Sequence, residues 1–113
     1  MGSARYLDGL AVSQKIEFLY FDDCPSHPEA LELLRGVLAE RGLEDAIEVH
    51  EVRTDAQARA LGFPGSPTIR IDGRDVDPAG ASHPPALGCR VYRLADGRVS
   101  PLPSRAQIEA ALR

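Results

Sequence analysis

The feature that most constrains this chain is a junction. The run Ile16-Glu17-Phe18-Leu19-Tyr20-Phe21 stops at Asp22-Asp23-Cys24-Pro25, and beyond His27-Pro28 apolar residues recur at Leu31, Leu34, Val37 and Leu38. The first run is short, aromatic, branched and nearly all apolar, which predicts a central strand covered on both faces. The second has the three-and-four spacing of an amphipathic helix, expected over roughly residues 27–41. Pro28 suits a first turn, where its missing N–H has no partner to lose; Glu29 favours the positive helix start, and Gly42 fits the stop. Between strand and helix lies Cys24, in a polar, proline-rich turn that is a poor place for a core residue.

Downstream, Ala46 to Val52 carries Ile47, Val49 and, out of step, Val52, which predicts a second strand with one face wetter. Thr54 and Gln57 have capping-box spacing, and Ala58 and Leu61 give a narrow apolar stripe before Gly62, so a short helix should follow. Phe63-Pro64-Gly65-Ser66-Pro67 is turn-forming and leads into Thr68-Ile69-Arg70-Ile71, which the Asp72-Gly73 signal folds back as Arg74-Asp75-Val76. Residues 77–88 are rich in Pro, Ala, Gly and Ser and include His83, so they read as a loop without core residues, long enough for a lid. Cys89 to Leu94 alternates again, Asp96-Gly97 offers a second hairpin, and Ser104 with Gln107 should cap a last helix carrying Ile108, Ala111 and Leu112. Residues 1–14 show no clean periodicity and read as a flexible N-terminal arm, leaving 15–113 as one domain.

The chain's 113 residues suffice for one sheet-and-helix core without disulfide staples or a structural metal. A formal charge of −4 with no basic stripe argues against a nucleic-acid partner. No signal-peptide core and no long apolar run is visible, so a cytoplasmic protein with no membrane partner is the expectation. The two cysteines, Cys24 and Cys89, are too few and too far apart for a secreted disulfide framework. In a reducing compartment such thiols are more often catalytic, redox-sensing or metal-binding than structural.

The order strand, helix, strand, short helix, strand, hairpin strand, helix implies a parallel pair of strands followed by an antiparallel hairpin on the same sheet. With Phe18-Leu19-Tyr20-Phe21-Asp22-Asp23-Cys24-Pro25-Ser26-His27 and Gly65-Ser66-Pro67-Thr68-Ile69, the chain resembles the thioredoxin superfamily over roughly Lys15 to Val76. Its Asp-Cys-Pro-x-x-Pro wording looks most like the small bacterial DF-type (seleno)protein chains. The resemblance implies an α/β thioredoxin-like domain, a mixed sheet of four or more strands flanked by helices, and a cis Ser66-Pro67 bond beside the active cysteine. It also implies that Pro25, Ser66 and Pro67 border the substrate. The chain departs from the dithiol pattern Cys-x-x-Cys, because its fourth position is His27, so no neighbour within the motif can resolve attack by Cys24.

A cysteine at a helix start is drawn toward thiolate by unpaired N–H groups and the dipole, and a protonated His27 would add to this, whereas Asp22 and Asp23 oppose it. Against this stands the plainer reading of Cys24 as a small buried hydrophobe. If Ile71 pairs with Arg74, the long loop leaves from the Pro67 end, which in a thioredoxin-like sheet also bears Cys24, so Cys89 is the candidate resolving thiol. A packed cysteine at a strand start is the equally weighted alternative. The leading functional reading is a thiol-dependent redox protein, of thiol-disulfide oxidoreductase or thiol peroxidase type, acting without a cofactor on a thiol, disulfide or small electrophile. Two others stand beside it: capture of a soft metal or organomercurial by Cys24, Cys89 and His27, with His83 as a further candidate ligand, and a non-catalytic binding module. His50 reads as structural.

Overall fold

The computed structural model describes residues 14–43 and 46–112. The expected arm, except for Gln14, lies outside them. The elements run β1 Ile16–Tyr20, α1 His27–Ala39, β2 Ile47–Glu51, α2 Asp55–Leu61, β3 Thr68–Ile71, β4 Arg74–Asp75, α3 Pro78–Ala81, β5 Tyr92–Arg93, β6 Val99–Ser100 and α4 Arg105–Ala111. Four strands form one mixed sheet in the order β2-β1-β3-β4, and β5 and β6 form a separate hairpin. β1 runs parallel to β2, with Phe18 level with Val49, and antiparallel to β3, with Phe18 level with Ile69.

Alternation along β1 splits the core between the two sheet faces. Ile16 and Phe18, with Ile69 and Ile71 of β3, pack on Ala30, Leu34, Val37 and Leu38 of α1 and Ile108 of α4. Leu19 points the other way and joins Val52, Ala58 and Phe63 in a smaller cluster under α2. Truncating a buried leucine such as Leu34 to Ala in a core of this kind costs about 2–5 kcal/mol. The α1 stripe is therefore the main anchor of the strand–turn–helix junction.

The expected elements form with specific departures. Val49 is 46% exposed, because β2 is the sheet edge, whereas the out-of-step Val52 is fully buried once its N–H bonds the Tyr20 carbonyl at 2.7 Å. Leu61, expected in the apolar stripe of α2, is exposed; Ala58 alone is buried there. The 77–88 loop contains the one-turn helix α3, begun by Pro78. Only Tyr92 and Arg93 of the expected Cys89–Leu94 strand pair with β6, while Cys89 makes an isolated parallel bridge to Ser66. Asp72 and Gly73 both have positive φ, 54° and 82°, the conformation a two-residue hairpin turn requires. No helix among the described residues is long and apolar enough to cross a membrane.

Candidate thiol site

The turn between β1 and α1 is fixed by its own backbone: the Cys24 N–H bonds the Phe21 carbonyl at 3.0 Å, and the Ala30 N–H bonds the Ser26 carbonyl at 3.1 Å. Ser26 is the N-cap of α1, so Cys24 sits two residues before the helix boundary rather than in its first turn. A serine here normally turns its hydroxyl onto the first helical N–H groups. This one makes no such cap bond; its Oγ lies 3.1 Å from Cys24 Sγ.

The strand β3 supplies the opposite wall. The Ser66–Pro67 bond is cis. The Ser66 hydroxyl accepts the Phe21 N–H at 3.0 Å, tying the turn to β3, and the Ser66 carbonyl lies 3.5 Å from Cys24 Sγ. Cys24 is thereby enclosed to 1% exposure, while Cys89 is exposed.

Cys89 arrives by backbone pairing. The Ser66 N–H donates to the Gly88 carbonyl at 2.7 Å, and the Arg90 N–H donates to the Ser66 carbonyl at 2.9 Å, so Ser66 spends both main-chain groups on the segment that carries Cys89. The two cysteines are free, and their thiols are near enough for each to shift the other's acidity. Burial pushes the Cys24 thiol up, but the Ser26 and Ser66 hydroxyls, the Ser26 backbone N–H and the Cys89 thiol together outweigh it and bring Cys24 below the ordinary thiol value. Cys89 moves the other way: the neighbouring Cys24, first of all, and then desolvation hold its proton more tightly. The pair is therefore asymmetric, with the more acidic sulfur inside and the less acidic one outside.

His27 does not take the part its spacing suggests. Its ring stacks on Tyr20 at 4.4 Å between centroids, and its Nε2 lies 3.8 Å from the Asp22 carboxylate. Among the described residues the hydrogen-bond partners of the Cys24 thiol are Ser26 and Ser66. Pro25 is exposed on the outer side of the turn, and Pro67 is buried with its carbonyl accepting the Tyr92 hydroxyl. His83 is exposed beyond α3, with Nδ1 2.8 Å from the Pro84 carbonyl.

Sequence reasoning passed over the residue that holds Cys89 in place. Arg90, only 7% exposed, directs its guanidinium to Asp75 and Thr68 and stacks it over Tyr92 at 4.2 Å. The only sequence signal was an arginine in register with Tyr92 in an alternating run; Val91, between them, is 60% exposed. Also unforeseen, His50 stands exposed with Nε2 3.8 Å from Glu17 and 3.6 Å from Glu48, because the parallel register sets Glu17 level with Glu48.

The chain matches no family model, no curated protein and no solved structure.

Proposed function

We propose that this chain is a thiol-dependent redox protein built on a thioredoxin-like domain, with Cys24 as the nucleophile and Cys89 as the resolving thiol. The observation that carries the reading is that Ser66 joins the two cysteines, its carbonyl 3.5 Å from Cys24 Sγ and its backbone bridged to Cys89, with Cys24 the more acidic thiol. A thiolate is the reacting form, and one held near a second thiol has its resolving partner in place. With a peroxide, Cys24 sulfur attacks one oxygen, the O–O bond breaks, and water or an alcohol leaves. Cys89 sulfur then attacks the sulfenic sulfur, the S–S bond forms and water departs, so two electrons pass from the thiol pair to the peroxide. With a disulfide, Cys24 displaces one thiol and Cys89 the other.

The same pair of adjacent sulfurs supports the second reading, capture of a soft ion or an organomercurial between Cys24 and Cys89. The orientation of His27 toward Tyr20 and Asp22 makes it a weaker third ligand than its spacing implied.

The deciding experiment follows the pH dependence of Cys24 alkylation in the reduced protein, with intact-mass analysis after mild peroxide. Cys24 reacting as a thiolate below the ordinary thiol range, together with a two-hydrogen mass loss mapping to Cys24–Cys89, is the expected result. An ordinary thiol and no bridge would overturn the redox reading in favour of the metal or binding-module ones.

A further inference from the structure

Cys24 is buried behind Cys89, and Cys89 lines a cavity of about 420 Å³ that α3 and the segment after it close on one side. That volume lies in the range of small-molecule sites. Pro64, Ala79 and Val91 give it apolar walls, and Ser82, His83 and Arg90 place polar groups around the thiol. Arg90 backs that wall with its guanidinium shielded from water and committed to Asp75 and Thr68, and its buried Nε has no hydrogen-bond partner among the described residues. The Pro84 carbonyl can only accept, so His83 Nδ1 donates to it and the Nε2 of the neutral ring is left as an acceptor.

We infer that the sulfur presented to the reducing substrate is Cys89, and that the cavity beside it seats a low-molecular-weight thiol, or the disulfide formed from it, bearing a hydrogen-bond donor such as an amide or ammonium group for His83 Nε2. The inference rests on the two-cysteine reading above and reverses the roles usually drawn from the Cys24 motif in one half of the cycle. When the protein carries the Cys24–Cys89 bridge, an incoming thiolate in the cavity attacks Cys89 sulfur, the internal S–S bond breaks, and its electron pair leaves on Cys24. The product is a mixed disulfide on Cys89. A second thiolate attacks the ligand sulfur of that mixed disulfide, the small disulfide departs, and Cys89 recovers a proton. Two small thiols lose two electrons and the protein bridge gains them. The direction suits the site: the departing thiolate is received by Ser26 and Ser66, and a stabilised thiolate is the better leaving group.

The test uses the full chain, oxidised and verified by mass to hold the bridge, then exposed to limiting glutathione, quenched with acid, alkylated and mapped. Glutathione should sit on Cys89 with Cys24 alkylated. Glutathione on Cys24 overturns the inference and leaves the two-cysteine reading intact, whereas failure to form the bridge at all overturns both. A second measurement addresses the cavity: Ser82 is exposed at its rim, so Ser82→Trp should fold and should slow reduction by glutathione by about tenfold. Reduction by the much smaller 2-mercaptoethanol should slow far less. Equal slowing of both thiols, or of neither, overturns the cavity assignment.

Discussion

Arg90 and Asp75 meet as a fork inside the protein: Nη1 lies 2.8 Å from one carboxylate oxygen and Nη2 lies 3.3 Å from the other, with both side chains almost wholly shielded from water. Asp75 belongs to the sheet and Arg90 follows Cys89 directly, so the pair ties the thiol-bearing segment to β4. Removing one member of such a pair leaves a buried charge uncompensated, at a cost of about 3–5 kcal/mol. Asp75→Asn should lower the unfolding free energy by that order in denaturant titrations. It should also raise the Cys24 thiol toward its ordinary range, because Cys89 is no longer held against it. An unchanged Cys24 titration in a folded variant would break the link between the fork and the site.

Ser26→Ala separates acidity from stability. The Ser26 hydroxyl serves the Cys24 sulfur and not the helix start, so its loss should leave the unfolding free energy within about 0.5 kcal/mol of wild type. Cys24 should become less acidic, visible as a shift of its alkylation profile to higher pH. A large stability loss would mean that the hydroxyl caps α1 after all.

Reduced-state stability should depend on alkaline pH with a defined sign. Cys24 titrates below the ordinary thiol value of 9.0 in the fold. Its contribution is thus complete above that value and is lost as pH falls through the folded Cys24 pKa. Cys89 titrates above it, so its contribution is complete below 9.0 and is lost as pH rises through the folded Cys89 pKa. The difference in unfolding free energy between the wild type and the Cys24→Ser, Cys89→Ser double variant should therefore peak near pH 9. A difference falling steadily with pH would contradict the assigned acidities.

Gly65 tests the approach of the 88–90 segment. Its φ is +131°, and an added Cβ would stand 2.9 Å from Arg90 Cβ and 3.2 Å from the Cys89 carbonyl oxygen. Gly65→Ala should push that segment away, lowering the yield of the Cys24–Cys89 bridge under mild peroxide. Gly36→Ala, at a helical position with open space around the new Cβ, is the control and should leave the yield unchanged.

The strands and helices were legible where local chemistry alone decides them. The α1 stripe, the Asp72-Gly73 turn and the Ser104–Gln107 capping box all form as their spacing requires. Burial set by partners distant in sequence was not legible. Nothing near Arg90 announces Asp75, so an arginine inside and Val91 outside is invisible to pattern reading. In the same way, the spacing of Cys24 and His27 suggested a pair, but the Tyr20 ring, at the end of β1, takes His27 away. Cys24 was readable as a candidate from its turn. Its hydroxyl partners depended on Ser66 being brought across by β3 and on Ser26 forgoing its cap, neither of which spacing encodes.

Ser66 couples strand β3 to the Cys89 segment through its N–H and its carbonyl, and everything from α1 to α3 lies between the two cysteines along the chain. A bond between them would lasso six of the ten elements of the described residues into one closed ring, and the entropy withheld from the unfolded chain by a ring of that size corresponds to roughly 4 kcal/mol. The thiol poise of the surroundings would then be read out as mechanical integrity: the oxidised domain resists opening and proteolysis, and the reduced domain breathes.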